Sequence, residues 1–79
     1  MIKVKLTGEF IKLAPEKSEK GAFDVEFESG LTIAELITRF GVKDAGVRYM
    51  VMVNNSRKPE TYVLNDSDSV LVMPLLAGG

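Results

Sequence analysis

The fold of this chain is decided by the stretch Leu31-Thr32-Ile33-Ala34-Glu35-Leu36-Ile37-Thr38-Arg39-Phe40-Gly41. Thr32 and Glu35 match a capping box, in which a hydroxyl and a carboxylate satisfy backbone amides at the start of a helix. Gly41 is placed to end that helix in a left-handed conformation. Between them, apolar residues recur with the helical period and predict one buried stripe: Ile33, Leu36, Ile37 and Phe40. Because so short a helix does not persist alone in water, we expect the stripe to pack on a sheet.

Segments on both sides of this helix have the patterns of β-strands. Apolar and polar residues alternate over Ile2-Lys3-Val4-Lys5-Leu6, and a charged loop leads to Phe23-Asp24-Val25-Glu26-Phe27-Glu28, which predicts a hairpin. A strand buried on much of both faces is predicted at Tyr49-Met50-Val51-Met52-Val53. A short edge strand is predicted at Thr61-Tyr62-Val63, and the final strand starts at Val70.

The connections between these segments carry turn signals and one apolar cluster. Turns are predicted at Asn54-Asn55 and at Asp66-Ser67-Asp68. Phe10, Ile11 and Leu13 lie in the long connection between the first two strands. They predict either one turn of helix packed on the core or an apolar patch that a partner covers, and we expect the core packing.

The order of these elements predicts an α+β fold. A hairpin, a helix, a buried strand, a short strand and a final strand require a crossover over one sheet face, with the final strand central beside the first. This is the β-grasp plan, a mixed four- to five-stranded sheet packed on one main helix. We expect residues 1–76 to form a single domain, and residues 77–79 to form an extended and flexible diglycine tail.

The composition excludes several classes of function. The 79 residues suffice for one small domain, and they include neither cysteine nor histidine, which excludes disulfides, thiolate or imidazole metal sites and Cys- or His-based catalysis. Ten basic and eleven acidic residues give a net charge of −1, so we expect neither nucleic acid nor membrane as a partner. No apolar run approaches the roughly 20 residues of a membrane helix, and we expect a cytoplasmic protein.

The C-terminus is the feature that points to a function. The apolar run from Val70 leads through Pro74 directly into Gly78-Gly79. Glycines without Cβ atoms can pass through a narrow slot and present a terminal carboxylate to chemistry inside another protein. The alternative is an ordinary frayed end, as many domains have.

The chain resembles the ubiquitin-like sulfur carriers, the group that contains the molybdopterin synthase small subunit and the thiamine-pathway sulfur carrier protein. The resemblance spans nearly the whole chain, and only the tail is functionally specific. It rests on Ile2 to Leu6, Leu31-Thr32-Ile33-Ala34-Glu35-Leu36, Val53-Asn54, Asp66-Ser67-Asp68-Ser69-Val70 and Met73-Pro74-Leu75-Leu76-Ala77-Gly78-Gly79.

Within that group, the long first connection looks more like that of the molybdopterin synthase small subunit. That subunit usually has two prolines where this chain has Met73-Pro74, and a glycine where Ser67 stands. A carrier for the thiamine pathway, tungsten cofactor or amino-acid sulfur assimilation stays open, as does an archaeal-type protein modifier.

The resemblance implies that the chemistry belongs to partner proteins. An adenylyltransferase similar to the ubiquitin-activating enzymes would adenylate the Gly79 carboxylate, and sulfur from a sulfurtransferase would displace AMP to leave a thiocarboxylate. ATP and magnesium would be used by that activating enzyme, and no cofactor or metal is expected on this chain. The titratable groups are scattered, so we expect no catalytic residue here. A molybdopterin synthase large subunit is a further expected partner.

The tail is expected to bind these partners through its backbone and two leucines. Leu75 and Leu76 are candidate anchors, and the alternative is that they complete the core. A second contact on the exposed sheet face is expected to share the binding. The predicted partner-binding tail consists of Pro74, Leu75, Leu76, Ala77 and Gly78. Two other functions stay open: a modifier that forms isopeptide bonds, and a non-covalent interaction module.

Overall fold

A computed structural model describes residues 1–75 of the chain. The elements, in order, are β1 (Ile2–Leu6), a first 3₁₀ helix (Gly8–Leu13), β2 (Ala22–Val25), α1 (Ile33–Arg39), a second 3₁₀ helix (Lys43–Ala45), β3 (Tyr49–Val53), β4 (Ser56–Arg57) and β5 (Ser69–Pro74). The predicted boundary between residues 76 and 77 lies outside the described residues and stays a prediction.

The strands form one mixed sheet in the order β2-β1-β5-β3-β4. The first and last strands lie side by side and parallel, with Val4 opposite Val70, and every other pair is antiparallel. α1 covers one face of this sheet, and alternate residues of β1, β3 and β5 pack beneath it. The predicted β-grasp fold is therefore confirmed, with five strands.

The helix forms as its sequence predicts. The Thr32 hydroxyl accepts a hydrogen bond from the Glu35 amide at 3.2 Å, and the Glu35 carboxylate accepts one from the Thr32 amide at 3.3 Å. Gly41 has a φ of 76° and follows the last turn, as a left-handed cap requires. Three of the four stripe residues are buried, and Phe40 is half-buried, edge-on to Phe23 at a centroid distance of 5.0 Å.

The second strand is shorter than predicted. It covers Ala22–Val25 instead of residues 23–28. Val25 pairs with Ile2 at the start of β1, so no strand remains for the following residues to pair with. The chain turns there instead, and the Leu31 amide donates to the Glu28 carbonyl at 3.1 Å.

The predicted edge strand at Thr61-Tyr62-Val63 is wrong, and the edge strand is β4. Asn54 and Asn55 have φ values of 50° and 69°, so they reverse the chain at once and bring Ser56–Arg57 beside β3. The Tyr62 carbonyl instead accepts the Ile33 amide at 3.1 Å, which satisfies a free amide at the start of α1.

The apolar cluster in the first connection packs on the core in part, and its role as a patch that a partner covers stays a prediction. Phe10 is fully buried in the core, Leu13 is half-buried, and Ile11 is 45% exposed. The first 3₁₀ helix therefore packs on the core with one side and presents Ile11 on the other. Within residues 1–75, no helix has the length and apolar character needed to cross a bilayer.

The capping box gives a stability test. Thr32→Ala removes the hydroxyl that accepts the Glu35 amide, and we expect it to cost about 1 kcal/mol of unfolding free energy. Chemical denaturation measures this loss. Thr38→Ala is the matched control, because the Thr38 hydroxyl bonds the Ala34 carbonyl inside the helix and helps it little. Equal losses from the two variants would contradict the capping role.

Candidate functional site

The last described residues are held by the sheet on one side. Pro74 ends β5 opposite Tyr49, and the Leu75 amide donates to the Arg48 carbonyl at 2.8 Å. We call Pro74 and Leu75 the tail root. Because the Leu75 amide points toward β3, the nitrogen of Pro74 faces the β1 side, where β1 has already ended. A residue without an amide hydrogen is tolerated there.

The first 3₁₀ helix lies against the other side of the tail root. The amide and hydroxyl of Thr7 both donate to the Val72 carbonyl, at 3.1 and 2.9 Å. Gly8 follows with a φ of 57°, and a Cβ built on it would lie 2.6 Å from Cγ of Pro74. The path of the chain is therefore defined on both sides as far as Leu75.

Two of the predicted site residues, Pro74 and Leu75, lie in the described part of the chain. Pro74 is half-buried, and Leu75 is 37% exposed and lies outside the core. The alternative in which Leu75 completes the core is therefore wrong, while its role as an anchor stays a prediction. The remaining predicted residues lie outside the described residues: Leu76, Ala77, Gly78 and Gly79.

A small polar cluster supports Tyr49, the strand partner of Pro74. Glu60 accepts the Tyr49 hydroxyl at 3.1 Å and pairs with the Lys43 ammonium at 2.9 Å. The hydrogen bond from Lys43 is the main cause that holds the pKa of Glu60 below its ordinary value. Burial, with the Glu60 hydrogen bond added, raises the pKa of Tyr49. Tyr49 also contacts the buried ring of Phe10 edge-on, with centroids 6.2 Å apart.

The sheet face opposite α1 carries an apolar strip. Met50 lies opposite Met73, and Met52 lies opposite Leu71, so all four side chains share one face. They alternate with buried core residues and are themselves half-buried. We call these four residues the open-face strip. Its position next to the tail root makes it a candidate partner-binding surface.

Basic side chains surround this strip. Lys5 lies beside Leu71 on β1, Lys3 precedes it on the same face, and Arg57 lies beside Met52 on β4. All three are exposed, whereas the chain as a whole has a net charge of −1. Lys3 and Lys5 also line a shallow depression of about 650 Å³, together with the acidic residues Glu19 and Asp24. The face therefore combines an apolar centre with a charged rim, in which three basic residues stand beside two acidic ones.

The open-face strip can be recognised in the sequence, from apolar residues at successive positions of β3 and β5. β3 and β5 carry apolar residues on both faces, which is the pattern of strands covered on both sides. The chain predicts only one main helix, and one helix covers one face. In the described part of the chain, the second apolar face is therefore not covered by α1.

The described part contains no group of three or more His, Cys, Asp or Glu side chains placed to hold a metal ion. The side chains of Lys43, Glu60 and Tyr49 near the tail root bond to one another. The arrangement can present a chain end and a docking face.

Comparison with known proteins decides the family. The model of the ThiS family matches residues 4–79. The chain belongs to the ThiS family. The predicted resemblance to ubiquitin-like sulfur carriers is thereby confirmed, and ThiS-type small carriers are generally non-catalytic. No curated protein matches this ThiS-family sequence.

Solved structures share the fold at low sequence identity. A putative molybdopterin converting factor, subunit 1, from Pyrococcus furiosus is 22% identical, with a TM-score of 0.73 over 95% of this chain and 97% of that one. SAMP1 from Haloferax volcanii is 14% identical, with a TM-score of 0.72 over 99% and 98% of the two chains. A structure of H. volcanii small archaeal modifier protein 1 is 11% identical, with a TM-score of 0.73 over 95% of this chain and 97% of that one.

The polar cluster beside the tail root gives a pH test. Because the folded pKa of Glu60 is lowered, its charged form stabilises the fold at neutral pH, and this contribution is lost as the pH falls through the folded pKa. We expect Glu60→Gln to melt at a slightly lower temperature than the wild type at neutral pH. The gap should close below the ordinary glutamate pKa of 4.5. Thermal melts down to about pH 3 measure it, and a gap that does not change with pH would contradict the assignment.

Proposed function

We propose that this ThiS-family protein is a sulfur carrier whose Gly79 is adenylated and then converted to a thiocarboxylate. The observation that carries the proposal is the tail root, where the sheet holds the backbone as far as an exposed Leu75. Four residues follow in the sequence and end in two glycines. A chain of four residues spans at most about 14 Å, so the activating centre must lie within that distance of the docked Leu75.

The carrier supplies the carboxylate and the partner supplies the chemistry. A carboxylate oxygen of Gly79 attacks the α-phosphate of ATP and releases pyrophosphate, which turns a poor acyl donor into one with a good leaving group. The terminal sulfur of a persulfide on the sulfurtransferase then attacks the acyl-adenylate and displaces AMP, which leaves an acyl disulfide. A thiol of a partner protein attacks the S–S bond, becomes a disulfide itself and releases the Gly79 thiocarboxylate. The adenylyltransferase binds ATP and magnesium, and no side chain of this protein acts as acid, base or nucleophile.

We propose molybdenum cofactor biosynthesis as the receiving pathway, with a molybdopterin synthase large subunit as acceptor. The similarity to the P. furiosus protein supports this choice, as does the long connection that contains the first 3₁₀ helix. The thiamine pathway is the alternative within the same family.

Protein modification is a second candidate function, since a lysine amine can attack the same acyl-adenylate to form an isopeptide bond. The structural similarity to a small archaeal modifier protein favours testing it. Conjugates of higher mass that form in cells and need Gly79 would establish it, and free thiocarboxylate alone would favour the carrier.

Mass spectrometry tests the carrier function directly. After incubation with ATP, magnesium, its activating enzyme and a sulfur donor, we expect the wild type to gain the mass of one oxygen replaced by sulfur. Deletion of Gly79 should abolish this gain and leave the melting temperature unchanged. If the wild type stays unmodified while another carrier of the same organism is loaded by that enzyme, the proposal is wrong.

The open-face strip and the basic residues of its charged rim are proposed to dock on the activating enzyme. An acidic-rimmed apolar surface would complement Met52, Leu71 and the surrounding cations, and the docked face would hold the carrier while the tail enters the active site. Fixing a peptide backbone in one conformation costs about 1–2 kcal/mol per residue, so we expect the tail alone to be a weak anchor.

Charge reversal on the rim tests this docking. We expect Arg57→Glu to raise the KM for the carrier on the order of threefold to tenfold at low salt, with less effect at high salt. Arg39→Glu is the matched control, because Arg39 is also exposed but lies on α1 and pairs with Glu28. Steady-state adenylation kinetics measure both variants. Equal effects of the two would show that the rim has no special role.

A further inference from the structure

Gly8 and Pro74 touch where the chain leaves the sheet. A Cβ on Gly8 would lie 2.6 Å from Cγ and 3.1 Å from Cδ of Pro74, while Cβ of Pro74 is 3.9 Å away. A separation of 2.6 Å is too short for two carbon atoms, so any side chain at position 8 forces one of the two segments to move. The atoms that clash belong to the Pro74 ring, whose Cγ moves only by a change of ring pucker and cannot swing away like the end of a long side chain.

The segment that contains Gly8 is fixed more firmly than Pro74. Thr7 donates two hydrogen bonds to the Val72 carbonyl, and Phe10 is fully buried two residues after Gly8. Pro74 is bound by a neighbouring strand on the β3 side alone, because β1 pairs with β5 only as far as Val72. A side chain at position 8 therefore displaces the tail root and leaves the first 3₁₀ helix in place.

We propose that Gly8 is a positioning residue for the loading of sulfur on Gly79. Its bare backbone lets the Pro74 ring lie against the first 3₁₀ helix and thereby sets the direction in which the chain leaves β5. This inference rests on the proposed function. In this proposal, the direction in which the chain leaves β5 is set by Gly8, which does not touch the reacting atoms.

The direction of exit matters because Gly79 is far along the chain from Pro74. Docking of the open face fixes the sheet on the partner, so a shift of the tail root by about 1 Å displaces the point from which the following residues must reach the active site. Misplacement of reacting groups by about 1 Å can lower a rate 100-fold. The open face would still dock as before. We therefore expect a change in kcat and little change in KM.

The first variant is Gly8→Ala, with Gly41→Ala as its matched control. Both glycines have positive φ, 57° and 76°, so alanine is strained at both. A Cβ on Gly41 meets no atom within 4 Å, whereas one on Gly8 meets Pro74. We expect both variants to lower the melting temperature, and Gly8→Ala to lower it more because of its clash with Pro74. Only Gly8→Ala should lower kcat for thiocarboxylate formation, by about tenfold, with KM unchanged within about twofold.

The second variant is a rescue. Pro74→Ala removes Cγ and Cδ and leaves a Cβ at 3.9 Å, which is an ordinary contact. In the Pro74→Ala background we expect Gly8→Ala to have almost no effect on kcat, so the double-mutant cycle shows strong coupling between the two positions. If Gly8→Ala acted only through backbone strain at position 8, its effect would be the same in the wild type and in the Pro74→Ala variant.

Three outcomes overturn the inference: Gly8→Ala with wild-type kcat, an equal loss of kcat in Gly41→Ala, or a loss that Pro74→Ala fails to rescue. Each is measured below the melting temperature, on folded protein monitored by circular dichroism. If the wild type itself gains no sulfur from its activating enzyme, the proposed function fails. If the wild type is loaded and one of the three outcomes is found, only the role of Gly8 fails.

Discussion

A single helix can cover only one face of a five-stranded sheet, and most of this structure follows from that constraint. α1 has seven residues and buries its stripe against alternate residues of β1, β3 and β5. The central strands β3 and β5 nevertheless carry apolar side chains on both faces, so burial by α1 leaves Met50, Met52, Leu71 and Met73 half-exposed on the other. Contact of such an apolar strip with water is unfavourable, and exposed apolar patches are common at binding surfaces.

The parts of the fold that the sequence predicts are those with a local physical cause. The capping box at Thr32, the alternation over Ile2–Leu6 and the Asn54-Asn55 turn each depend on neighbouring residues, and each is confirmed. The end of β2 and the place of the edge strand depend on which strand is available as a partner. Val25 is the last residue with a partner on β1, and no local pattern encodes that limit.

The candidate site divides in the same way. The diglycine and the leucines of the tail are recognisable from sequence, because their order alone suggests access to a narrow slot. The contact between Gly8 and Pro74 is not recognisable, since it joins the first connection to the end of the last strand. Only the parallel pairing of β1 with β5 brings those two segments together.

Turn positions with a positive φ favour glycine, and position 67 is such a position that carries a serine instead. Ser67 has a φ of 72°, the left-handed region where a glycine stands in the molybdopterin synthase small subunit. The turn is kept here because the Asp68 carboxylate accepts the Asn65 amide at 2.8 Å and the Asn54 side chain at 2.9 Å. The hydrogen bonds of the Asp68 carboxylate thus stabilise a backbone conformation that glycine adopts without such support. Gly8 has no such substitute, because what its position requires is empty space beside Pro74, and only the absence of a Cβ provides it.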